Sequence, residues 1–264
     1  MRALRAIRAE LRKIVTLPAS LVALALTVLG PLGFAVFNAL GVRSDLAAGN
    51  LDRLGYTSAV EAALSAVPLG TVGAVILGVV AVSHEYTANS SDAGGGRQIT
   101  ATLTVVPGRL TVLVAKTISV TLLIVAAAAV ALPGSLAAAA LIIGDEGGST
   151  GSGEVSARAG GAALYWVLMG VIALAITVLT RSGVVPLIVL IANSSLVSVS
   201  ILLANLTDLA YLLPDLAGMR LFTGDATWAM TEHALPPLAG GLVMGAWAAG
   251  LVAVAAVVLR RRDA

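Results

Sequence analysis

The chain has 264 residues, of which 58% are hydrophobic and 11% are charged, and its mean hydropathy is +0.99. Soluble domains carry about 25% charged residues, so a chain this apolar cannot cover itself with a polar surface and its solvent must be lipid. The sequence contains no cysteine, which excludes a disulfide framework and a thiolate metal site within it. We therefore expect one all-α integral membrane domain over residues 1–264.

The first segment, residues 1–16, has the pattern of an amphipathic helix. Leu4, Ile7, Leu11 and Ile14 recur at helical spacing among several cations. Those cations are Arg2, Arg5, Arg8, Arg12 and Lys13. Such a helix lies in the membrane interface, with its apolar side in the lipid and its cations at anionic headgroups. The alternative, a signal-peptide n-region, is disfavoured because the apolar run that follows is too long for an h-region.

Crossing a bilayer takes roughly 20 apolar residues, and six segments of the chain meet this requirement. They are residues 17–42, 64–82, 110–143, 159–180, 184–204 and 238–259. Pro133 falls within the third segment, and we expect it to kink or end that helix because proline removes a helix hydrogen bond. The outer segment 205–237 keeps many apolar residues and three prolines, which indicates one or two short helices at the outer mouth.

The distribution of charge sets the orientation, because cytoplasmic segments of membrane proteins are enriched in Lys and Arg. With the N-terminus in the cytoplasm, the inner segments hold 12 of the 16 cations, and ten of the 14 acids fall outside. The inner segments then carry a net charge of +8 and the outer segments −6. Both termini are therefore predicted to be cytoplasmic. The arginine-rich, alanine-rich composition indicates a bacterial cell membrane.

Searches for catalytic and ligand-binding motifs exclude several classes of protein. Residues 147–151 fit G-x-S-x-G, but no strand precedes them, as a nucleophile elbow requires. Residues 94–98 lack the G-K-[ST] of a P-loop, and His84 and His233 fall on opposite sides of the membrane. Charged residues are also rare within the spans, which disfavours an ion-driven carrier. We expect no catalytic site, metal or cofactor in this chain, and no nucleic-acid partner.

The fifth predicted span carries a polar face, formed by Asn193, Ser194, Ser195, Ser198, Ser200 and Asn205. Such a face can join helices, at about 0.6 kcal/mol per hydrogen bond, or line a substrate path at a subunit boundary. Candidates for the path are Asn193, Ser194, Ser198 and Asn205. In the last span, Gly241 and Gly245 form a small-xxx-small face for close helix packing.

The most unusual polar stretch is residues 83–116, which the orientation places in the cytoplasm. Glu85 stands at the end of an apolar helix, where it is an interfacial anchor or part of a contact with a partner. Asp92 and the following glycines can begin a short helix, and Pro107 ends it. Residues 99–105 also alternate like a strand, but an isolated strand here would leave unpaired edges. A short helix parallel to the membrane fits a groove on a soluble partner.

The chain resembles the permeases of type-2 ATP-binding-cassette (ABC) exporters of the bacterial antibiotic and drug export kind. The resemblance rests on an acid–aromatic pair, a basic segment with Thr and Leu, a Pro-x-Arg and an Ala-Lys that opens the third span. In this sequence these are Glu85-Tyr86, Arg97 through Leu103, Pro107-Gly108-Arg109 and Ala115-Lys116. The amphipathic first helix, the six spans and the apolar outer segment are similar too.

The resemblance implies a dimer of two permeases, identical or related, each docked through its inner loop on a separate ATPase subunit that binds Mg-ATP. It implies ATPase coupling by Glu85, Tyr86, Arg97 and Arg109. On this interpretation Glu85→Ala leaves the chain folded but lowers ATPase activity of the complex. The alternative is a membrane protein that does not transport, such as an anchor, an assembly factor or an immunity protein.

Overall fold

The computed structural model describes residues 2–49, 58–87, 108–144, 150–195, 199–224 and 235–261. This described part is 88% helix and contains no strand, which confirms the all-α prediction for it. The helices, in chain order, are α1 (Arg2–Thr16), α2 (Pro18–Ala47), α3 (Ala59–Leu64), α4 (Val67–Tyr86), α5 (Arg109–Ile143), α6 (Ser152–Thr180), α7 (Val184–Ser195), α8 (Val199–Ala204), a 3₁₀ helix (Asp208–Leu212), α9 (Pro214–Met219) and α10 (Pro237–Arg261).

Five helical segments are long and apolar enough to cross a membrane, which is consistent with a multi-pass membrane protein. They are Pro18–Ala47, Ala59–Tyr86, Arg109–Ile143, Ser152–Thr180 and Pro237–Arg261. Within the predicted span 184–204 the structure describes α7 and α8, and residues 196–198 between them lie outside the described residues. The predicted inner helix, within residues 92–105, also lies outside the described residues.

One helix boundary differs from the sequence prediction, and one alternative for Pro133 is excluded. α5 continues through Pro133 to Ile143, so the proline does not end the helix. α6 begins at Ser152, with Glu154 in its first turn, where a negative charge is favourable at a helix N-terminus. Arg158, which directly precedes the predicted span 159–180, is therefore held on a helix.

The centre of the bundle is α4, which packs between α2 and α6. Gly73 lies against the α2 backbone at Ala23, and Gly78 lies against the α6 carbonyl of Gly170, so that the helices approach closely. The indole Nε1 of Trp166 donates a hydrogen bond of 2.9 Å to the Val67 carbonyl, and the Trp166 ring is fully buried. These contacts fix α4 and α6 as one unit.

The segment before α10 folds back along that helix. Trp247 Nε1 donates a hydrogen bond of 2.9 Å to the carbonyl of Leu212, and α9 packs on α10 with Gly218 against Met244. Trp247 is ten residues after the start of α10, which is about 15 Å along the axis at 1.5 Å per residue. The short helices therefore lie beside the helix as well as at its end.

The predicted packing glycines of α10 have different surroundings. A Cβ at Gly241 would meet the Leu221 side chain at 2.9 Å, so this face packs inside the chain. A Cβ at Gly245 would meet no described heavy atom within 4 Å. Contact of Gly245 with a second copy or another helix stays a prediction.

Candidate functional site

Glu85, the first of the predicted coupling residues, belongs to a cluster of four charged side chains. Glu85 Oε1 lies 2.5 Å from Lys13 Nζ and 3.1 Å from Lys116 Nζ. Glu10 completes the ring, 2.9 Å from Lys13 Nζ and 2.7 Å from Lys116 Nζ. We call Glu10, Lys13, Glu85 and Lys116 the ion cluster. It joins α1 to the end of α4 and the beginning of α5.

Burial decides what the ion cluster can do. Glu85 is 1% exposed, Lys116 3% and Glu10 4%, and Lys116 also donates a hydrogen bond of 2.9 Å to the Ala81 carbonyl. Buried charges lose their hydration and are stable only when they are paired with good geometry. Glu85 also stands in the last turn of α4, where a negative charge opposes the helix dipole. The two lysines compensate both costs, and the cluster as a whole is neutral.

The pKa of Lys13, the most accessible member, reflects the same balance. Burial lowers this pKa, but hydrogen bonds and charge attraction from Glu85 and Glu10 outweigh burial and raise it above its ordinary value of 10.5. Lys13 is therefore cationic at neutral pH. A lysine held in this form stabilises its neighbouring carboxylates and is not available as a base.

The sequence of α1 explains how the helix reaches the ion cluster. Ala6, Glu10 and Ile14 are four residues apart and form its buried face, which packs against α5. Ser119 on α5 donates a hydrogen bond of 3.3 Å to the Ile7 carbonyl. Ile14 is fully buried whereas Leu4 is 72% exposed. Within the predicted apolar stripe, Ile14 therefore faces the protein interior, whereas Leu4 faces the exterior.

Tyr86 and Arg109, also predicted to couple to an ATPase, lie at the same end of the bundle. The Arg181 guanidinium stands 5.7 Å from the centre of the Tyr86 ring, a distance at which a cation is attracted to an aromatic face. Arg109 Nη1 donates a hydrogen bond of 3.0 Å to the carbonyl of Leu259, in the last turn of α10. The structure thus brings three of the four predicted residues to one end of the bundle.

The remaining predicted residues are only partly accounted for. Arg97 and Ser198 lie outside the described residues, as do the side chains of Asn193 and Ser194 on α7. Asn205 is exposed and its side chain donates a hydrogen bond of 3.2 Å to the Ile201 carbonyl, one turn earlier. A path lined by these four residues stays a prediction.

Another member of the same polar face has a partner that sequence reasoning missed. Ser200 donates a hydrogen bond of 2.8 Å to the Oδ1 of Asp215, and both side chains are buried. Asp215 opens α9, within the segment that folds back along α10. The polar face therefore joins helices at this position, which was the simpler of its two interpretations.

Sequence reasoning also missed Lys13 as a partner of Glu85, because the two residues are 72 positions apart along the chain, and it missed Glu10 as the second carboxylate of the cluster. One signal could have found them. The chain contains only two lysines among its 16 cations, and both belong to the ion cluster. Within the described residues no group of three or more His, Cys, Asp or Glu side chains could hold a metal ion.

Comparison of the sequence with known proteins gives no relative whose function could be carried over to these residues. Neither the protein-family models nor the curated proteins that were searched give a match to the chain.

Proposed function

We propose that this chain is the membrane subunit of an ABC exporter, driven by a separate ATPase that docks on residues 83–116. The sequence pattern around Glu85, Arg97 and Arg109 and its resemblance to type-2 permeases motivate the proposal. The five candidate spans are compatible with it. In this proposal the subunit has no ATP site of its own, works as a dimer with an identical or related permease, and sits in a bacterial cell membrane with both termini cytoplasmic.

The observation that carries the proposal is the ion cluster. Residues 88–107 connect α4, which contains Glu85, to α5, which contains Lys116. Both ends of the proposed docking loop are therefore fixed to α1 by buried charges. Because α1 continues into α2 at Pro18, a displacement of the loop or of α1 is transmitted to three long helices together.

This geometry changes the role that we assign to Glu85. A side chain that is 1% exposed does not touch a docked protein. Glu85 is therefore proposed as a positioning residue that transmits movement, while Arg97 is proposed to contact the ATPase. Tyr86 and Arg109 would hold the ends of α6 and α10 to the same moving unit.

The test begins with affinity purification of the chain from its own membranes in mild detergent, followed by identification of the bound proteins. We expect a soluble ATPase subunit to copurify. Arg97→Ala should weaken that association, whereas Glu85→Gln should keep it but lower ATPase activity of the complex, because the ion cluster has lost a charge. Arg43→Ala, at the opposite end of α2, is the matched control and should change neither.

If no ATPase copurifies with the wild-type chain, the proposal is wrong and a membrane anchor or assembly protein becomes the better interpretation. If Glu85→Gln retains wild-type ATPase activity in the complex, the exporter proposal survives but the transmitting role of the ion cluster does not.

A further inference from the structure

A cavity of about 190 Å³ lies at the end of the bundle opposite the ion cluster. Its apolar wall is formed by Leu64, Pro68, Met219 and Phe222. Glu61 on α3 and Arg158 on α6 supply its charged wall. An apolar protein cavity of about 150 Å³ is known to hold benzene. The cavity therefore has room for one aromatic ring with a short polar arm.

The guanidinium of Arg158 is already used inside the chain. Its Nε donates a hydrogen bond of 2.9 Å to the Phe222 carbonyl, which fixes the plane of the group. Its Nη1 lies 3.5 Å from Glu154 Oε1, and its Nη2 lies 3.4 Å from Glu61 Oε1. An anionic ligand at this guanidinium would be repelled by both carboxylates, Glu61 and Glu154.

Glu61, by contrast, has capacity for a second cation. Its contact with Arg158 is longer than the roughly 2.7–2.9 Å of a well-formed charged hydrogen bond. Its other oxygen, Oε2, has no hydrogen-bond partner among the described residues. Two carboxylates, Glu61 and Glu154, share one guanidinium, so the trio carries a net charge of −1.

Gly224 keeps the space beside this pair open. A Cβ at position 224 would lie 3.0 Å from Glu61 Oε1 and 3.3 Å from Arg158 Nη1. The backbone of Gly224 is not in the left-handed region, so its conformation does not require glycine. The missing side chain instead leaves room next to the Glu61 carboxylate.

We propose that this cavity binds an organic ammonium ion whose apolar body is about the size of one aromatic ring. The ammonium nitrogen pairs with Glu61, and the body packs against the apolar wall that includes Phe222 and Leu64. The site belongs to this chain alone and does not depend on the exporter function proposed above.

The test uses the purified chain in phosphatidylcholine nanodiscs without any ATPase, and benzylammonium as the probe. Binding is measured by calorimetry, with empty nanodiscs subtracted, and benzyl alcohol is the neutral probe of similar shape. We expect saturable binding of benzylammonium that is about tenfold tighter than that of the alcohol, the increment of one charged hydrogen bond. Glu61→Gln should abolish this preference while benzyl alcohol still binds.

Two further variants make the result decisive. Gly224→Ala should weaken benzylammonium binding, because its methyl group would stand 3.0 Å from Glu61 Oε1 and crowd the carboxylate, although Gly224 itself does not line the cavity. Asp45→Asn removes a carboxylate at the same end of the bundle that does not line the cavity, and it should leave both affinities unchanged. The proposal is overturned if the wild-type chain shows no saturable binding, if it binds both probes equally, or if Glu61→Gln keeps the preference. If Glu61→Gln fails to fold, unaltered binding by Gly224→Ala overturns it.

Discussion

Lysine supplies both cations of the ion cluster, although 14 of the 16 cationic residues in the chain are arginine. Each ammonium group contacts both Glu10 and Glu85, and Lys116 donates a further hydrogen bond to Ala81. An ammonium is a compact charge with three donors on a flexible stem, whereas a guanidinium is a wider planar fork. The geometry around each lysine, with acceptors in several directions, suits the ammonium.

Lys116→Met should strongly destabilise the chain, because it leaves Glu10 and Glu85 buried with only Lys13 to balance them. Breaking a buried ion pair by removing one partner costs about 3–5 kcal/mol, so the melting temperature in detergent should fall clearly. Arg8→Met, on the exposed face of α1, is the control and should melt like the wild type. The double variant Lys116→Met with Glu10→Gln should recover part of the loss, since such coupled sites are not additive. Additive losses would contradict a single coupled cluster.

At the residue scale, the position of Glu85 was visible in the sequence but its environment was not. A single acid directly after an apolar run indicates a boundary position, and the structure places Glu85 in the last turn of α4. Its partners Lys13 and Lys116 come from other helices, so only the packing of α1 against α5 reveals them. Likewise, Arg158 meets Glu61 across 97 positions of sequence.

At the scale of elements, apolar runs predict long helices well because length and hydropathy depend on composition alone. The ends are less predictable, since they depend on local contacts at each terminus. Residues 159–180 were predicted as a span, for example, but α6 begins at Ser152. The fifth span is less predictable, because its apolar run contains several Ser and Asn residues, and the structure describes it only as α7 and α8 on either side of residues 196–198.

Close packing of α4 on α6 gives a prediction for these helices. A Cβ at Gly78 would collide with the carbonyl of Gly170, and overpacking of this kind costs typically about 1–3 kcal/mol. Gly78→Ala should therefore lower the melting temperature of the purified chain. Gly33→Ala on α2 is the matched control, because a Cβ there meets nothing within 4 Å and alanine favours helix by about 1 kcal/mol. If Gly78→Ala and Gly33→Ala had the same melting temperature, the close packing of α4 on α6 at Gly78 would be contradicted.

At the scale of the whole molecule, polar contacts mark the two ends of the bundle. One end holds the ion cluster, the Tyr86–Arg181 contact and the Arg109–Leu259 hydrogen bond. The other holds the cavity at Glu61 and Arg158. Arg181 and the last turn of α10 share the first end, so the start of α10 lies at the other end, and residues 181 and 237 stand at opposite ends of the bundle. The sequence prediction assigns the traverse between them to residues 184–204.

The absence of cysteine from the sequence allows a direct test of orientation. Thr87 follows α4 at the end with the ion cluster, and Ser156 lies near the start of α6 at the other end, and both are exposed. The charge distribution predicts that a membrane-impermeant maleimide labels Ser156→Cys in intact cells. Thr87→Cys should be labelled only after the membrane is permeabilised. The reverse pattern would place the N-terminus outside and would exclude a cytoplasmic ATPase at residues 83–116.

Because both lysines belong to one buried cluster, their chemical reactivity depends on whether the cluster stays closed. Amine-reactive reagents find few primary amines on the described surface, because Lys116 is enclosed and Lys13 is three-quarters covered. The rate at which the two ammonium groups react thus becomes a built-in signal of separation between α1 and the helices α4 and α5. Any event that moves α1 away from α4 and α5 should raise the reaction rate of these amines, without a dye or an engineered label.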